Sequence, residues 1–185
     1  MAAMEWTSKS LPYLTARPPG AADTWTEEAA KAGRRGSQRI LHAGETAAPA
    51  AVAAMLGLTA GSTVVVRRRI IELDGEPTEL TDTHYPPDIA AGTPLAGTAK
   101  IRGGAVTLLA ALGHIGVRVV EDVTALMPPD EEREQLRLAA GEPVLRLART
   151  TYDAADRPVQ ADVILMPAGR QQLRYEIRLD PSRPA

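Results

Sequence analysis

The residues with the clearest chemical potential are arginines placed on apolar strands. In TVVVRRRIIEL (63–73), Arg67 and Arg69 share a strand face with Val65, Ile71 and Leu73, because side chains alternate along an extended chain. Arg149 repeats the arrangement beside Leu145 and Leu147. A guanidinium on such a face needs an anionic or carbonyl partner, since an unpaired buried charge is costly. These groups could therefore hold a carboxylate or phosphate of a small ligand; the competing reading of each is an internal ion pair or a solvated sheet edge. Gly103–Gly104 follows Lys100 and Arg102 and opens a helix, where free N–H groups and the helix dipole favour an anion and glycine lets a ligand approach the backbone. Thr81, Thr83 and Tyr85 share a face by the same count, as do Gln160 and Asp162. With Arg69 they form a set of hydrogen-bonding groups suited to a concave site.

Other chemistries find no template. The sequence has no Walker loop, dinucleotide fingerprint, nucleophile elbow or zincin motif. His42, His84 and His114 fall on different elements without metal spacing, so no metal and no cofactor is expected. Glu72, Glu79 and Asp162 qualify as acids by residue type alone. The absence of cysteine removes disulfides and thiolate nucleophiles. With 21 basic against 23 acidic side chains in 185 residues and a net charge of −2, the chain lacks the cationic excess of a nucleic-acid binder. No apolar run has the length of a membrane span or the form of a secretion signal; a cytoplasmic location follows as the expectation.

The elements that must position these groups can be read in order. Residues 1–24 form an extended arm, interrupted by Pro12, Pro18, Pro19 and Gly20. Thr24 and Glu27 suggest a capping box for a helix to Ala32. A strand over 38–45 and a helix between Pro49 and Gly57 follow. The strand 63–73 leads through Asp74–Gly75, a strong hairpin cue, to a partner at 78–85. A helix after Gly104, a strand at 117–126 and a helix from Pro129 to Gly141 precede a second hairpin (144–153 and 158–166) and a last strand near 173–179.

An internal repeat underlies this order. Leu56, Leu58, Gly61, Val64 and Arg69 recur 80 residues later as Leu136, Leu138, Gly141, Val144 and Arg149. Pro77 and Pro86 recur 81 later as Pro158 and Pro167, implying one extra residue in the second turn. Two equivalent halves contributing to one antiparallel sheet make an α+β domain, with helices expected on one face.

Residues 25–180 resemble the UTRA effector-binding domain of HutC-type GntR transcription regulators. The likeness is carried by LGL (56–58) with Gly61 and Val64, RRRIIELDGEP (67–77), THYP (83–86), LLAALG (108–113) and EPVLRLARTTYDAADRPVQ (142–160). The resemblance implies a chorismate-lyase-like fold, a small-molecule effector and a homodimer. A winged helix-turn-helix needs about 60–70 residues, more than precede Trp25, so no direct DNA binding by this chain and no membrane partner is expected; 181–185 form a tail. Against the pattern of members that bind sugar phosphates, Arg69 matches the first of two alternating arginines. Ile71, Thr81, Gln160 and Met166 depart from it, and no serine opens the helix at Gly104–Ala105. The resemblance therefore implies a less charged effector or a pocket that has lost its ligand, with Arg69 and the Gly103–Gly104 amides as the surviving anion contacts. A chorismate-lyase-like enzyme and a ligand-free interaction module are the alternatives.

Overall fold

The computed structural model describes residues 6–18 and 23–177. Six antiparallel strands form the main sheet in the order β2-β3-β4-β7-β6-β5: β2 (Gly36–Ala47), β3 (Thr63–Leu73), β4 (Glu76–Tyr85), β5 (Arg118–Leu126), β6 (Val144–Tyr152) and β7 (Pro158–Pro167). The β3–β4 hairpin turns on Asp74 (φ 55°) and Gly75 (φ 87°), the left-handed pair that suits a two-residue turn. Both central strands therefore come from hairpins, and β4 pairs with β7 to join the halves, with Thr83 opposite Asp162.

The repeat is geometrically faithful. Helix α2 (Thr24–Lys31) has its counterpart in α5 (Gly104–Ala111), and α3 (Ala50–Met55) in α6 (Asp130–Gln135), each pair starting 80 residues apart. Helix α3 ends with Gly57 at φ 65° and α6 with Arg137 at φ 51°. In both, the residue after the left-handed position donates back into the helix, Leu58 to Ala53 at 2.8 Å and Leu138 to Arg133 at 2.9 Å. This turn is why α6 stops well short of Gly141: burying Leu136 and Leu138 under the sheet requires the chain to leave the helix.

The helices do not share one face. Trp25 and Ala29 of α2 pack on Ile71 and Leu73, while α4 (Pro87–Ala90), a 3-10 turn (Pro94–Ala96) and α5 cover Val65 and Tyr85 on the same side. Val52 and Ala53 of α3 pack on Val64 and Ala161, and Leu136 and Leu138 after α6 pack on Leu80 and Val144. Val64 and Val65 are adjacent and both fully buried, so the sheet is covered on both sides. Alternation along a strand reveals that a face is apolar, but both faces of β3 are apolar, and which helix lies on which is set by the connections.

The amino-terminal segment is not free chain. β1 (Trp6–Ser8) pairs in parallel with β8 (Gln171–Leu173) in a separate two-stranded sheet, and α1 (Leu11–Leu14) is helical. Pro12 lies in its first turn, where the missing N–H would have had no helical partner. The last strand thus falls earlier than the sequence suggests, with 174–177 irregular. Pro19, Gly20 and residues 178–185, including the end of that expected strand and the tail, lie outside the described residues. The cap of α2 is Asp23 rather than Thr24: its Oδ1 accepts from Thr26 N at 2.9 Å and Thr26 Oγ1 at 2.8 Å, freeing Glu27 to pair with Arg17.

Candidate functional site

A cavity of about 160 Å³ opens on the sheet face beneath α2 and α5, similar to the roughly 150 Å³ that accommodates a benzene-sized molecule. Its floor comes from β3, β4, β6 and β7, so each half of the repeat supplies an arginine: Arg69 and Arg149 both line it. The amino ends of α2 and α5 both reach it, through Asp23 and Thr24 on one side and Gly103 to Val106 on the other.

Four of the ten residues singled out in the sequence meet in one network. Arg69 Nη2 donates to Thr83 Oγ1 at 3.1 Å. Thr83 donates to Asp162 Oδ1 at 2.8 Å, and Gln160 Nε2 donates to Asp162 Oδ2 at 2.8 Å. Asp162 and Thr83 are fully buried in protein, and the cross-strand register that sets Thr83 opposite Asp162 brings the two halves into this contact. Thr81 lies beside the network and donates to Glu79. Tyr85 lines the cavity and its hydroxyl makes no hydrogen bond among the described residues; burial raises its pKa.

Two arginines are committed elsewhere. Arg67 does not line the cavity. Its guanidinium donates to the carbonyls of Pro94 (3.1 Å), Leu95 (3.3 Å), Ala99 (3.2 Å) and Gly97, pinning the 3-10 turn over the sheet, and burial lowers its pKa. A period-two count puts Arg67 and Arg69 on one face and cannot see the loop that collects the first of them. Arg149 reaches the cavity already partnered, by Glu121 Oε1 at 2.6 Å and Ser10 Oγ at 3.0 Å. Burial alone would raise the Glu121 carboxyl; hydrogen bonds from Ser10 and Arg149, with the arginine charge, leave it below the ordinary carboxylate range.

Gly103 and Gly104 adopt φ of 77° and 84°, a region that glycine enters freely. Gly103 caps α5 without a side-chain acceptor, whereas the equivalent end of α2 is closed by Asp23. Gly104 N already donates to Ile101 O at 3.1 Å, so the donors without a partner among the described residues at this end are the next amides, those of Ala105 and Val106, which border the cavity.

Several lining residues have no signal in the sequence. Trp6, Ser8, Lys9, Tyr13 and Arg17 reach the cavity from the amino-terminal segment. That segment is held by Tyr13 Oη donating to Glu28 at 2.6 Å, by Arg17 N donating to Thr107 Oγ1 at 3.0 Å, and by Trp6 stacked edge-on against Trp25 at 4.9 Å. Trp25, Gln38, Ile71, Met166 and Gln171 complete walls that depend on distant chain segments. Glu79 could be found by counting back from Thr81 on the same face, but its pairing could not. Half-buried because its carboxyl borders the cavity, it is deep enough that burial raises its pKa, against the hydrogen bond from Thr81 and the charges of Arg69 and Arg149.

Among the described residues no group of acidic and histidine side chains is disposed to hold a metal, and no helix is long and apolar enough to cross a membrane. The family model of the UTRA domain matches residues 31–172. A curated relative, the uncharacterized HTH-type transcriptional regulator SCO4628 of Streptomyces coelicolor, is 35% identical over 139 residues, covering 73% of this chain and 51% of that protein. The chain thus spans about half the length of the curated relative it matches. Among solved structures, the effector domain of PhnF from Mycobacterium smegmatis superposes with a TM-score of 0.71 at 21% identity, covering 87% of this chain and 98% of that one. The C-terminal domain of the histidine utilization repressor from Pseudomonas syringae gives 0.63 at 22%, covering 78% and 100%. At that identity the superpositions carry the fold, while the family match carries the assignment: this chain belongs to the UTRA family, the effector-binding domain of GntR-type transcription regulators.

Proposed function

We propose that the cavity is the effector site, that Arg69 and the open amides of α5 receive an acidic group of a small metabolite, and that the chain works in the cytoplasm as a sensor rather than an enzyme. The observation that carries this reading is the asymmetry of the two helix ends: α2 is closed by its own aspartate, whereas α5 has no side-chain cap and faces a cavity that also holds Arg69 and a Tyr85 hydroxyl without a hydrogen bond among the described residues. Thr81, Thr83, Gln160 and Asp162 then orient Arg69 and shape the floor, Arg149 braces the amino-terminal segment, and Arg67 supports the roof.

A homodimer fits this reading. Strand β5 is one of the two edge strands of the sheet, and Ile115, Val117, Val120, Val123 and Met127 are exposed along and beside it, an apolar edge of the kind that pairs with a second copy. The near-neutral charge suits a unit whose DNA contacts are made elsewhere. Because Trp6, Ser8, Lys9, Tyr13 and Arg17 of the amino-terminal segment border the cavity, that segment is positioned to respond to occupancy.

A thermal-shift screen of amino acids, organic acids, sugars and sugar phosphates tests the reading. A ligand present at 100 times its Kd stabilises by about 2.7 kcal/mol, and Arg69→Ala should lose that response. Absence of any shift across the panel, or release of 4-hydroxybenzoate from chorismate by the purified protein, would overturn it.

A further inference from the structure

The two charges best placed to be read by a ligand are opposite in sign and do not meet. Arg69 pairs in register with Thr81, and Glu79, two residues earlier on the same face, is its diagonal cross-strand neighbour. Such neighbours lie roughly 7–8 Å apart, within reach of long side chains. Both line the cavity, yet among the described residues no ion pair joins them, although twelve others are formed. Arg69 instead donates to Thr83, on the side away from Glu79, and its Nε–H is buried without a partner. Glu79 receives one hydrogen bond, from Thr81. Around them the other charges set into the wall are already matched: Arg149 by Glu121, Arg17 by Glu27 and Asp23 by Lys100, while both oxygens of Asp162 accept from Thr83 and Gln160; Lys9, which also borders the cavity, is exposed to solvent.

An ion pair declined within the cavity leaves one cationic and one anionic group under-coordinated side by side. A ligand bearing a single negative group satisfies the first and aggravates the second. From this juxtaposition we infer that the effector is a small zwitterion, its acidic group held by Arg69 and the α5 amides and its ammonium by Glu79. This rests on the cavity being the effector site and adds the class of molecule it takes. Burial raises the Glu79 carboxyl, and an incoming ammonium returns it to its charged form, so binding should release a proton near the pH where the empty site still holds one.

The test is calorimetry and thermal shift of the full chain with ω-amino acids from glycine to 6-aminohexanoate. Each is compared with its deaminated carboxylic acid and with the matching alkylamine. Expected is one member of the series bound at least tenfold more tightly than either of its one-charge analogues, a gap in keeping with one charge-assisted hydrogen bond. Glu79→Gln should shrink the preference over the carboxylic acid to near unity while leaving the acid itself bound. Equal affinity for the acid and the amino acid by the natural chain, which needs no variant to fold, would overturn the inference. So would a preference that survives Glu79→Gln. Sugar phosphates serve as the control arm: if they bind and no amino acid does, the zwitterion falls and the sensing role stands; if nothing binds, both fall.

Discussion

The two halves of the sheet share a backbone and differ in what they do with it. Helices α2 and α5 begin 80 residues apart and both point their amino ends at the cavity. In the first half that end is closed by Asp23, itself bound to Lys100 at 3.0 Å; in the second it is left open by Gly103. The arginines are reversed: Arg149 of the second half is locked to Glu121, while Arg69 of the first keeps an unpartnered Nε–H. Each half therefore contributes one finished and one unfinished device, and the unfinished ones lie on the same cavity. A duplicated scaffold can build an asymmetric site this way, by satisfying a polar group in one copy and omitting its partner in the other.

Breaking the finished arginine should have the largest effect. Glu121→Ala leaves a buried guanidinium unpaired and is expected to cost about 3–5 kcal/mol, read as a chemical-denaturation midpoint well below that of the natural chain. Replacing both members, Arg149→Met with Glu121→Leu, should recover most of the loss. Because the Glu121 pKa is depressed in the folded protein, its contribution is present above the ordinary glutamate range and is lost as pH falls through the folded value. The gap between the natural chain and Glu121→Ala should accordingly close on acidification; a gap independent of pH would mean that the contact is packing rather than charge.

Removing the finished cap is a smaller change. Asp23→Ala should cost about 1 kcal/mol, a fall in Tm of roughly 2–4 °C for a chain of this size. If Asp23 were a ligand contact and not a cap, stability would hold and only ligand response would change. At the unfinished charge, Glu79→Gln should raise the Tm of the protein without added ligand at neutral pH. A carboxyl whose folded pKa is raised loses stability as pH climbs from the unfolded to the folded value, and the amide removes that loss. The natural chain and the variant should converge below the ordinary glutamate range.

The smallest effect concerns the helix ends on the opposite side of the sheet. Arg137 occupies the left-handed position that Gly57 fills in the first half, and its ion pair with Glu76 is exposed and worth little. Arg137→Gly should be neutral to stabilising by up to about 1 kcal/mol, visible as a slight rise in Tm. Clear destabilisation would show that the exposed pair matters more than the backbone.

Much of this was legible beforehand because it depends on local chemistry. Strand β3 runs over the residues expected from its β-branched composition, the Asp74–Gly75 turn lies where that dipeptide predicts, and α5 starts at Gly104. Of the expected site, Arg69, Thr83, Gln160 and Asp162 form one network because their faces follow from period two. The amino-terminal segment differs from the expected extended arm: its prolines suggest irregular chain, whereas the partners that order it, Glu28, Thr107 and Arg149, lie far along the sequence. Glu79 stands out from Glu72 only in the structure: its place beside Arg69 matters for a contact that is not made, and an unmade contact leaves no trace in a sequence.

By itself the sequence determined the duplication, the strand faces and the residue types available to the cavity, all consequences of chain-local geometry. Only the tertiary structure decided which arginine remained unspent. Arg67, Arg69 and Arg149 are equivalent by any local rule. A loop of carbonyls took the first, a glutamate from the edge strand took the third, and the cavity was left with the second. Such choices are made by long-range closure of the chain, where each buried charge takes whatever partner the packing delivers.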